Sequence, residues 1–125
     1  MMSMPFENAF FMGVLCNILV TVAVLASLSA KDAAGRILGA WAPVMFFVVA
    51  GFSHSIADMT YCALALFGKS APACTAVAQA AGADLSVLTW GRYFLGNMLP
   101  VTLGNTAGGG LVGLAAWYCY LRKKG

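Results

Sequence analysis
The chain has 125 residues, of which 62% are hydrophobic and only 9% charged, with a formal net charge of +3 and a mean hydropathy of +0.87. A soluble globular domain carries about 25% charged residues, so there is too little polar surface here to clothe one. The seven Lys and Arg residues stand at the ends of apolar runs rather than in an aromatic-interleaved patch, which excludes a nucleic-acid interface and leaves an all-α integral membrane protein.

The opening residues Met1–Pro5 carry no charge, and no Lys or Arg precedes the first apolar run, so that run is expected to remain in the protein rather than be cleaved as a signal peptide. From Phe6 to Ala30 the sequence is almost continuously apolar and long enough to cross a hydrocarbon core of about 30 Å. Asn17 interrupts it. Its amide must bond a neighbouring helix or line a polar path. A polar turn, Lys31–Arg36, follows.

The second apolar segment runs from Ile37 to Phe67 and, as one straight helix, would reach about 46 Å and overshoot the core. A break near residues 51–55 is therefore expected, at Gly51 and the polar Ser53-His54-Ser55. A half-helix starting near Ser55 would turn its unpaired N–H groups and positive dipole end into the membrane interior. Interrupted helices of this kind hold ions near the midplane of transporters.

Gly68–Ser86 is a connector of small residues, with a short surface helix expected over Ala76–Ala83. The third segment, about Val87–Leu121, opens with Trp90 and Arg92 and closes with Trp117, Tyr118, Tyr120 and Arg122-Lys123-Lys124. Aromatic belts and a basic stop are the marks of a spanning helix. Five basic residues on one side against Lys69 and Arg92 on the other put the N-terminus outside and the C-terminus in the cytoplasm.

His54, the only histidine, is the sharpest chemical signal. An imidazole, with an ordinary pKa of about 6.5, can give a proton to an anion or attract it while charged; alternatively it is a neutral ring bonded to a backbone carbonyl at the helix break. Asp58, four residues on, shares its helical face. Asn97 and Asn105 flank Pro100, which implies a kink or break met by neighbours or a water-lined cavity. Gly104 with Gly108, and Gly109 with Gly113, have the spacing of close helix packing. Cys16, Cys62 and Cys119 lie in apolar runs as packing residues, while Cys74 falls in the connector and could react. A membrane-embedded enzyme is disfavoured: there is no second histidine, no nucleophile–base set and no metal-ligand spacing. No cofactor is expected.

Three blocks, Gly13-Val14-Leu15-Cys16-Asn17, Gly51-Phe52-Ser53-His54-Ser55-Ile56-Ala57-Asp58-Met59 and Asn97-Met98-Leu99-Pro100-Val101-Thr102-Leu103-Gly104-Asn105, resemble the C-terminal half of the formate/nitrite transporter family in order and spacing. The resemblance implies an aquaporin-like protomer of two inverted three-helix halves, assembled as a homo-pentamer, with a pore in each protomer for small monovalent anions such as formate or nitrite. It also implies that His54 faces the pore and that Phe47 helps form an apolar constriction; Ser55, Asp58, Asn17, Asn97 and Asn105 are then expected to line the path. Two positions depart from the pattern: Ser53 replaces a usual Glu, and Asp58 stands where Asn is common. A carboxylate beside the imidazole would stabilise its charged form yet oppose an anion, so the pair is expected to alter the pH dependence of transport. The family's first three helices have no counterpart, so a pore is expected only with a complementary N-terminal half. The other reading is a non-conducting membrane fragment or a small interaction subunit.

Overall fold
The computed structural model describes residues 4–82 and 84–122, which form helices and turns with no strand among them. α1 (Phe6–Ser29) is 24 residues long, with a mean hydropathy of 2.4 over its 18-residue apolar stretch, enough to span a membrane. α2 (Ala33–Val49) and α3 (Ser55–Gly68) are separated by five non-helical or capping residues. α4 (Pro72–Ala80) leaves α3 at a bend of 110°. A 3-10 turn, Leu85–Val87, leads to the third long helical stretch, in which wide turns Arg92–Met98 and Trp117–Leu121 flank α5 (Leu99–Ala116).

Several boundaries differ from the sequence expectation, each for a local reason. The second segment begins at Ala33, not Ile37, because the Asp32 carboxylate accepts the Gly35 N–H at 2.8 Å and caps the helix. The connector helix starts at Pro72, four residues early, since proline with its fixed φ suits the first helical position. Its expected end, Ala83, lies outside the described residues, as do Met1–Ser3, Lys123 and Lys124. Pro100 does not break the third helix. It follows directly on the wide turn, where the Leu99 N–H reaches back five residues to the Phe94 carbonyl, and the helix runs on through it.

The frame of the molecule is α1 laid along α5, with α2 against the other side of α1. Contact is at backbone distance: a Cβ on Gly104 would collide with the Phe10 carbonyl, and one on Gly108 with the Val14 carbonyl. Two glycines four apart thus face two α1 residues four apart, the close approach that apolar helices need when no hydrophobic force separates them from lipid. Gly113 does not share this role; it opens onto an apolar groove of about 550 Å³ beside Val22, Leu25 and Trp117.

The exterior is apolar. Leu28, Val49, Val77 and Tyr120 are all exposed, and neither α2 nor α4 buries a single residue. Trp90 stacks on Phe94 and meets Phe67 and Tyr93 edge-on, tying the end of α3 to the start of the third helix, while the Arg122 guanidinium sits 5.0 Å over the Tyr118 ring. Cys16 and Cys62 are buried as packing residues, but Cys119 is exposed; Cys74 is exposed on α4, not on a loop.

Replacing Gly108 with Val should destabilise the α1–α5 pair by about 1–3 kcal/mol in detergent unfolding, whereas Gly110→Ala, at a site with open space, should cost nothing. Asp32→Ala should cost about 1 kcal/mol by the same assay, through loss of the α2 cap.

Candidate functional site
The site is built at the interruption between α2 and α3. α2 ends in a Schellman turn: the Phe52 N–H bonds the Phe47 carbonyl and the Gly51 N–H the Val48 carbonyl, both at 3.1 Å, with Gly51 at φ +70°. Glycine alone takes that conformation without strain, so the chain leaves helix there rather than a residue earlier or later. α3 then restarts with His54 as its N-cap, the imidazole Nδ1 accepting the Ile56 N–H at 3.3 Å. The Phe47 and His54 rings lie 6.1 Å apart and 30° from parallel. Phe47 therefore contributes twice, its carbonyl closing the turn and its ring lying against the histidine.

Asn105 holds this turn to the frame. Its Nδ2 donates to the Gly13 carbonyl at 3.1 Å and the Ser53 carbonyl at 3.3 Å, and its Oδ1 accepts from Ser55 N–H at 3.2 Å and Ser55 Oγ at 3.4 Å. Its own carbonyl accepts from Asn17 Nδ2. The first two N–H groups of α3, which have no partner within the helix, are thus met by Asn105 and His54. An anion reaching this end of α3 would meet a helix N-terminus, with its positive partial charge, beside an imidazole.

The sequence-derived site residues fall into two groups. His54, Phe47, Ser55, Asn105 and Asn17 converge on the break, with His54, Phe47, Ser55 and Asn17 half-buried and Asn105 buried. Asp58 and Asn97 are 0% and 1% exposed and lie within reach of each other across α3 and the wide turn, although none of their side-chain oxygen and nitrogen atoms meets full hydrogen-bond geometry among the described residues. The Asp58 carboxyl is therefore not bonded to His54. Ser53 Oγ, where the family pattern has Glu, is also buried without a partner among the described residues. Gly13 opens the first of the three sequence blocks but was not among the expected site residues: its carbonyl anchors Asn105, and a Cβ there would sit 2.7 Å from the Val101 carbonyl. Its place four residues before Asn17, on one face of α1, was the available signal. No group of three or more metal-ligating side chains occurs among the described residues.

The family model of the formate/nitrite transporters matches residues 1–118. A probable formate transporter of Methanothermobacter thermautotrophicus is 35% identical over 97% of this chain and 38% of its own length. Formate channel FocA of Escherichia coli (strain K12) is 36% identical over 94% of this chain and 42% of its own. Nitrite transporter NirC of the same strain is 37% identical over 91% of this chain and 37% of its own. Among solved structures, a pentameric formate channel with formate bound superposes with a TM-score of 0.80 at 36% identity, covering 96% of this chain and 48% of that one. The chain spans less than half the length of these relatives, which are transporters and channels rather than enzymes. By the extent of these matches, this chain belongs to the formate/nitrite transporter family.

Proposed function
We propose that this chain forms one half of a pore that passes small monovalent weak-acid anions, formate or nitrite, across the cytoplasmic membrane. The observation that carries the reading is the placement of the single histidine at the N-terminal end of a broken apolar helix, against a phenylalanine ring. Membership of a transporter family and the apolar exterior support the membrane setting.

In this reading, the α3 N-terminus and His54 draw the anion in, and His54 gives it a hydrogen bond or a proton. Phe47 is part of an apolar constriction that a hydrated ion passes only by shedding water, at a high cost, while a small neutral acid passes more easily. Ser55, Asn17, Asn97, Asn105 and Asp58 form or support the polar wall. A complementary N-terminal half supplies the opposite wall, and the aquaporin-like protomers assemble as a homo-pentamer; the solved formate channel to which the chain is similar is pentameric. The N-terminus lies outside and the C-terminus in the cytoplasm, following the distribution of Lys and Arg.

Flux of formate or nitrite into liposomes holding this chain with a complementary half is the test. His54→Ala should cut flux about 100-fold, the lower range for loss of one proton-handling side chain; undiminished flux contradicts the reading. No flux with any complement would favour a non-conducting interaction subunit. Asp58→Asn should move the pH profile of flux, because the carboxyl stands one helical turn from His54 along α3. Superimposable profiles would exclude Asp58 from the transport chemistry.

A further inference from the structure
Asn105 is buried, and every polar atom of its side chain is engaged: two carbonyls on Nδ2, the Ser55 N–H and hydroxyl on Oδ1. A carboxamide has two N–H donors and two acceptor lone pairs, so four such bonds leave none for a passing anion. Two of its partners, Ser53 O and Ser55 N, bracket His54 in the chain. The residue thus fixes the backbone on both sides of the histidine without touching the imidazole.

The imidazole is itself oriented by a backbone donor. The Ile56 N–H carries a hydrogen that cannot be exchanged for a lone pair, so the ring nitrogen facing it must be the acceptor. Neutral imidazole has one N–H and one bare nitrogen, and the bond made by one decides the other. With Nδ1 bare, the proton resides on Nε2, the ring nitrogen left for an external partner.

We propose that Asn105 is a positioning residue for His54: by holding Ser53 O and Ser55 N–H it keeps the Ile56 N–H on Nδ1, so that neutral His54 offers Nε2–H as its hydrogen-bond donor to the anion. The inference rests on the reading of His54 as a pore residue. It assigns Asn105 to the support of the site rather than to the surface the anion meets. The same geometry gives the amide nitrogen and oxygen separate roles: Nδ2 ties the turn to α1 through Gly13, and Oδ1 caps α3.

Because His54 is the only histidine in the chain, nitrogen-15 histidine labelling of this chain in lipid bilayers yields a single imidazole to observe by solid-state NMR. Measured well above the imidazole titration range, wild type should show Nε2 protonated over Nδ1 by at least about fivefold, the preference that one net hydrogen bond supports. Asn105→Ala should reduce that preference to a mixture of the two tautomers, and Asn105→Asp, which keeps an acceptor for Ser55 N–H but loses the donors, should fall between. If Asn105→Ala is not recovered folded, Asn105→Asp carries the comparison. An Nδ1-protonated wild type, or an unchanged Nε2–H preference in the recovered variant, overturns the proposal. Undiminished flux in His54→Ala would instead overturn the pore reading while leaving the tautomer result intact.

Discussion
One carboxamide joins the parts of this chain that matter. Asn105 stands on α5, reaches the Gly13 carbonyl on α1, and grips the non-helical turn on both sides of His54. In an apolar setting, an interrupted helix exposes backbone N–H and C=O groups that lipid cannot satisfy, each at a cost of several kcal/mol. The break exists only because something meets those groups. The Schellman turn at Gly51 satisfies the carbonyls at the end of α2, and Asn105 with His54 satisfies the first N–H groups of α3.

That reach depends on backbone proximity. The Asn105 amide can bond Gly13 only because Gly104 and Gly108 let α5 lie against the α1 carbonyls of Phe10 and Val14. Packing, capping and the placement of the histidine are therefore consecutive consequences of one helix contact. A side chain at Gly108 would separate the helices and, through Asn105, loosen the turn that carries His54. The buried Asp58–Asn97 pair sits apart from this network, and its environment is distinct from that of the half-buried imidazole.

Much of this was legible in the residues. The overlong apolar run from Ile37 to Phe67 required a break, and Gly51 with its neighbours marked where, because glycine is the residue that closes a helix in the left-handed conformation. Gly104 and Gly108 announced a close contact by spacing alone, whereas Gly113 shared the spacing but not the partner. Asp32 was a readable N-cap that the charge-rich turn obscured. The tolerance of Pro100 was not legible, since the wide turn that precedes it involves residues with no distinguishing chemistry. Nor could spacing show that Asn105 and Asn97, eight residues apart, have opposite environments: one amide fully bonded, the other without a bond among the described residues. That difference arises from which neighbouring helix each amide meets, and this is a property of the packed molecule.

The central claim is that backbone groups at the break are held by side chains, Asn105 from α5 and His54 from the break itself, and not by water. Amide hydrogen exchange at Ser55 and Ile56, in the bilayer-embedded protein, tests it most directly. Ser55 and Ile56 should exchange as slowly as the interior amides of α5, because Asn105 and His54 occupy them. Exchange at either site as fast as at the exposed Lys31-Asp32 turn would contradict the account.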